Sequence, residues 1–60
     1  MTFKIGDMVR EVQHRDIGRV YSVPAEDKDY YVVSFDGVKV RYSIEQVVSG
    51  ALRLLHQVTL

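Results

Sequence analysis

Apolar residues in this chain fall into short runs of period two, separated by Gly, Asp, Pro and Ser, and no long stretch keeps a helical period. The pattern predicts an all-β chain of five strands. A first strand is expected over residues 8–13 with Val9 as its core residue, after a Gly6-Asp7 turn. A polar loop, His14-Arg15-Asp16, leads to Gly18 and a second strand over 19–23, which Pro24 ends because it cannot donate to a ladder. Residues 25–29 read as a solvated acidic loop. The strongest strand signal is 30–35, where Tyr31, Val33 and Phe35 share one face, assigned to the core. Asp36-Gly37 suits the positive φ values of a type I′ turn, so residues 38–43 should fold back antiparallel on 30–35. In that arm Val38, Val40 and Tyr42 alternate with Lys39, Arg41 and Ser43, which gives an inner face and a short basic stripe. Ser43 and Gln46 have capping-box spacing, but Ser49-Gly50 leaves room for about one turn, read as a single 3₁₀ turn before a last strand over 52–58.

Sixty residues make one domain, 1–60, and a chain of this size buries only about 60% of its unfolded surface. With no cysteine there is neither a disulfide framework nor a thiolate metal site, which fits a reducing compartment, and the expected location is the cytoplasm. No apolar run approaches the ~20 residues needed to cross a bilayer, so no membrane partner is expected. Eight basic and eight acidic side chains cancel, which speaks against non-specific binding of polyanions. The balance is uneven along the chain. Residues 25–36 carry Glu26, Asp27, Asp29 and Asp36 against Lys28 alone, while both flanks are mildly basic.

The opening Phe3-Lys4-Ile5-Gly6-Asp7-Met8-Val9-Arg10, followed by Gly18-Arg19-Val20, resembles the start of KOW and bacterial Tudor-like domains. Tyr31-Val32-Val33-Ser34-Phe35-Asp36-Gly37 is similar to the third strand and hairpin of Tudor-like modules and of photosynthetic electron-transport accessory barrels, and residues 42–47 to their closing helical turn. The resemblance implies a five-stranded SH3-like barrel with the 3₁₀ turn before its last strand. It does not choose a ligand, since members of that superfamily bind RNA, DNA, RNA polymerase, methylated side chains, other subunits or redox partners. One relative of this fold is an enzyme, the oligomeric type II dihydrofolate reductase, with a Val-Gln-Ile-Tyr segment on the strand after the hairpin. Here that stretch is Lys39-Val40-Arg41-Tyr42, in which only Tyr42 matches.

Candidate chemistry is sparse. His14 and His56 lack the close partners of a metal site, and Glu26, Asp27 and Asp29 lack the glycine and final glutamate of a calcium loop. No nucleophile elbow or phosphate-cradling glycine loop is present, so no catalytic residue and no cofactor are expected. Two surfaces stand out. Tyr21, Tyr30 and Tyr42, beside Arg10, Arg19, Lys39 and Arg41, could form a face for stacking and anion binding. Leu52, Leu54, Leu55, Val58 and Leu60 exceed what one strand can turn inward, and are expected to meet a protein partner or a second copy. The leading expectation is a non-enzymatic, self-associating module that docks on a protein. The alternatives are a KOW-like nucleic-acid binder, whose binding would weaken steeply as salt rises, and the oligomeric reductase; duplex DNA and structured RNA are expected to bind weakly at physiological salt.

Overall fold

A computed structural model describes residues 2–58. Strands β1 (Met8–Glu11), β2 (Ile17–Ser22), β3 (Tyr30–Phe35) and β4 (Val38–Ser43) are followed by a short α-helix, α1 (Ile44–Val48), and by β5 (Leu52–His56). They form one five-stranded antiparallel sheet in the order β4-β3-β2-β1-β5. The chain is thus all-β apart from one helical turn, and the last strand lies beside the first.

The β3–β4 hairpin follows directly from its turn. Asp36 and Gly37 have φ of 53° and 88°, the positive pair a type I′ connection requires, and Phe35 faces Val38 across a two-residue loop. Ladder pairs then run without a break from Phe35↔Val38 to Tyr30↔Ser43. The helical segment is α-helical and not the 3₁₀ turn expected. Ser43 Oγ accepts from the Gln46 N–H while Gln46 Oε1 accepts from the Ser43 N–H, and the Ser49 N–H reaches the carbonyl of Glu45 four residues back. This reciprocal cap satisfies the donors that would otherwise favour a tighter turn. β1 and β5 each end two residues earlier than expected. Val12 makes one more backbone bond in the β1–β5 register, to the Ala51 carbonyl, before the chain turns, and the Val58 N–H bonds to a side chain and not to a strand.

The core consists of Phe3, Val9, Val20, Tyr31, Val33, Tyr42, Val47 and Leu52, with Val23, Phe35, Ala51 and Leu54 packed against it. Two edge-to-face ring pairs sit within it, Phe3 on Tyr31 at 5.9 Å and Phe35 on Tyr42 at 6.4 Å between centroids. Alternation over-reached at the hairpin tip. Val38 is 64% exposed and Val40 is also exposed, because the last β2–β3 pair is Arg19↔Ser34 and the tip extends beyond the strand that would cover it.

Beneath the core lies one buried charge. Asp7 is 2% exposed; its Oδ2 accepts from the Lys4 N–H at 2.8 Å and its Oδ1 from the Val58 N–H at 3.0 Å, fifty-one residues away. Its own N–H donates to the Lys4 carbonyl, and its carbonyl accepts from Val20. Gly6 closes the turn at φ 95°, with its N–H on the Val20 carbonyl, and a Cβ placed on it would stand 3.4 Å from the Val58 side chain. Burial alone would raise the Asp7 pKa. The Val58 and Lys4 N–H groups, with the nearby positive charge of Lys4 and His56, outweigh it and hold the carboxyl below its ordinary 3.8.

A depressed carboxyl pKa means that the stability it contributes is present above the unfolded value and is lost as pH falls through the folded one. Asp7→Asn should therefore lower unfolding free energy by about 2 kcal/mol at neutral pH, the worth of a charge-assisted hydrogen bond. Its deficit against wild type in denaturant titrations should shrink as pH drops below 3.8. The glycines separate two constraints. A Cβ on Gly18 would lie 2.6 Å from the Ser34 carbonyl, whereas one on Gly37 meets nothing within 4 Å. Gly18→Ala should cost about 2–3 kcal/mol through overpacking. Gly37→Asn, which tolerates positive φ, should stay close to wild type while Gly37→Val does not, as melting curves would show.

Candidate ligand-binding surface

Strand alternation divides each strand's side chains between the core and the outer face of the sheet. The charged residues on outward positions are Arg10 on β1, Arg19 on β2, Lys39 and Arg41 on β4 and Arg53 on β5, all cations. The carboxylates lie elsewhere: Asp7 inside, Glu26, Asp27 and Asp29 in the β2–β3 loop, Glu45 on α1, and Glu11, Asp16 and Asp36 around a groove at the hairpin end. A net charge of zero therefore conceals a basic sheet face.

The densest part of that face joins β2, β3 and β4. Lys39 Nζ stands 4.6 Å from the Tyr21 ring centroid, Arg41 Cζ 4.6 Å from that of Tyr30, and Lys28 Nζ 6.0 Å from that of Tyr30. These residues border one shallow depression with Ser22 and Val32, and no carboxylate lines it. A β-bulge builds it. Val20 pairs with Val33 but Ser22 pairs with Val32, so Tyr21 is the extra residue and its ring, 57% exposed, is turned outward. Among the described residues the only ion-pair contact is His14 Nδ1 to Glu11 at 3.0 Å, so the outer cations have no carboxylate within 4.0 Å.

The structure thus brings together Tyr21, Tyr30, Lys39 and Arg41 from the stacking face expected of the sequence. Arg19 stands on the same side, its Nη1 bonded to the Gly6 carbonyl at 3.0 Å, and Arg10 lies further round, on β1. Tyr42 is corrected. It is only 8% exposed and packs edge-on against Phe35, because it faces inward with Tyr31 across the hairpin. Burial first, then the charges of Glu11 and Asp16, push its hydroxyl pKa up. Lys28, adjacent to the ring of Tyr30, was missed. Its position in an acidic loop hid it, and only the tight Ala25–Lys28 bridge turns it back toward the sheet.

The C-terminal surface shrinks. Leu52 is a core residue and Leu54 packs against the core, so neither is free to meet a partner. Leu55 and Val58 remain 37% and 38% exposed, with Val58 tied to Asp7 through its N–H, and Leu60 lies outside the described residues. The surplus expected of alternation is absorbed because β5 covers the open end of the core beside β1.

A second surface was not foreseen. Exposed Ile17, Val38 and Val40 border a groove floored by Phe35 and Tyr42 and rimmed by Glu11, Asp16 and Asp36. Glu11 is held below its ordinary pKa, first by the His14 N–H, which together with the Gln13 N–H and the His14 ring overcomes its desolvation. Among the described residues no group of three or more His, Cys, Asp or Glu could hold a metal ion, and no helix is long and apolar enough to cross a membrane. Comparison of the chain with protein-family models, with curated proteins and with solved structures gave no match.

Proposed function

We propose that the chain is a non-catalytic binding module of the SH3-like barrel kind, akin to KOW and Tudor-like domains, and that it binds single-stranded nucleic acid on its Tyr21–Tyr30 face. The observation that carries this reading is the pairing of two outward tyrosines with Lys28, Lys39 and Arg41 in one depression without a carboxylate. Aromatic rings offer stacking to unpaired bases of any sequence, and adjacent cations follow the phosphates. A duplex hides its base faces and would meet only the charge, so duplex binding stays weak. The order β4-β3-β2-β1-β5, with the first strand between the second and the last, supports the barrel. The absence of cysteine favours a cytoplasmic setting. The inward position of Tyr42, the one residue matching the reductase segment, counts against catalysis of that kind.

The test is titration of a labelled twelve-residue oligothymidylate by fluorescence anisotropy. Neutralising three phosphates on a single strand gives a log–log salt slope of about −2. Tyr21→Ala and Tyr30→Ala should each weaken binding by about 1–3 kcal/mol, while the phenylalanine variants retain it. Equal affinity for duplex and single strand, or indifference to both alanine variants, would exclude the stacking role.

A second reading has its own observation, the apolar groove of Ile17, Val38 and Val40. It lies on the opposite side of β4 from Lys39 and Arg41, so the basic face of one copy suits the carboxylate rim of the next, head to tail. On this reading the module docks on protein, a second copy included. Sedimentation at high concentration should then show salt-sensitive association that Val38→Asp abolishes. A wild type that stays monomeric at low salt contradicts it.

A further inference from the structure

On the β1–β5 side of the sheet, away from the tyrosine face, Arg10 and Arg53 are direct partners in the antiparallel register. Direct partners on one face have Cβ atoms about 4.5–5.5 Å apart, and like charges there are destabilising. A third guanidinium joins them. Arg15, in the loop from β1 to β2, borders the same cleft, with Val12 as the remaining wall. Among the described residues none of the three arginines has a carboxylate within 4.0 Å.

The loop carrying Arg15 is built rather than slack. Its residue takes φ 66°, a left-handed backbone that a side-chain-bearing residue rarely adopts. The turn is closed by the Glu11 N–H on the Asp16 carbonyl and the Arg15 N–H on the Glu11 carbonyl, both at 2.7 Å. Glu11, beside Arg10, accepts the N–H groups of Gln13 and His14 and the His14 ring, so it is engaged within its own loop, and Asp16, next to Arg15 in sequence, borders the groove of Ile17 and Phe35 and not this cleft. Three arginines that border one cleft with no carboxylate within 4.0 Å are free to pair with an external anion. Guanidinium forks pair with tetrahedral oxyanions through two parallel N–H···O bonds, which selects phosphate over a spherical halide.

We infer that Arg10, Arg15 and Arg53 form a phosphate-binding site, separate from the tyrosine face and independent of the nucleic-acid reading. The phosphate could belong to a free phosphomonoester or to a nucleic-acid strand, and both present the same oxyanion.

Arginine Nε–Hε resonances of the full chain, followed by NMR while inorganic phosphate replaces chloride at constant ionic strength, test the site. The three arginines should shift together on one saturable curve. Arg10→Gln, Arg15→Gln and Arg53→Gln should each weaken it by about 10-fold, the loss of a charge-assisted pair, whereas Lys39→Gln leaves it unchanged. Without phosphate, Arg53→Gln should melt no lower than wild type, because it relieves repulsion. Competition of phosphate with a twelve-residue oligothymidylate bearing a 5′-phosphate, but not with the unphosphorylated strand, would assign a terminal phosphate; competition with both would assign backbone phosphates. Competition with neither would assign a small phosphomonoester. Linear, unsaturable shifts, equal loss in Lys39→Gln, or a marked loss of stability in phosphate-free Arg53→Gln would overturn the inference.

Discussion

A single buried carboxylate holds the two ends of this fold to its middle. Asp7 joins the Lys4 turn, the Val20 backbone of β2 and the Val58 backbone beyond β5 through both side-chain oxygens and both of its main-chain groups. A chain this short has little apolar area with which to hold its strands on a core, so a polar tie between segments fifty-one residues apart carries unusual weight. Burying a charge is costly unless it is hydrogen-bonded, and here each oxygen finds a backbone donor that the turn and the C-terminal segment would otherwise leave unpaired. Asp7 thus satisfies two backbone groups while it fixes where β1 begins.

With the ends tied, the strands sort charge by side. The single alternation along β4 sends Lys39 and Arg41 to the outer face and Val38 and Val40 toward the acidic groove. Outer positions on the other strands add only cations, and the acids collect in loops and at the groove rim. This segregation lets a chain of zero net charge present a face suited to anions. Alternation along β2 adds the aromatic component by leaving Tyr21 outward, at the β-bulge where the register with β3 shifts.

Much of the fold was legible because it is written in local chemistry. Asp36-Gly37 specifies its own turn, and the alternation of 30–35 places Tyr31 and Val33 in the core at the period of the pleat. The placing of Tyr21, Tyr30, Lys39 and Arg41 on one face was legible for the same reason, since it follows from strand parity alone. What escaped depends on neighbours distant in sequence. The inward fate of Leu52 and Leu54 requires β5 to cover the core beside β1, and the exposure of Val38 requires knowing where β2 stops. Arg10 and Arg53 face each other only through a register joining residues forty-three apart, and no local pattern announces it. The helix was misjudged for a different reason: the capping box was visible, but its strength relative to the brevity of the segment was underrated.

The tie between Asp7 and Val58 is the contact on which the rest of the fold depends. A carbon-detected NMR titration of the Asp7 carboxyl, combined with amide hydrogen exchange at Val58 and Lys4, measures it. Asp7 is expected to titrate below 3.8, and the Val58 amide, protected at neutral pH, to lose protection over the same range. An Asp7 that titrates at or above its ordinary value beside a freely exchanging Val58 amide would contradict it.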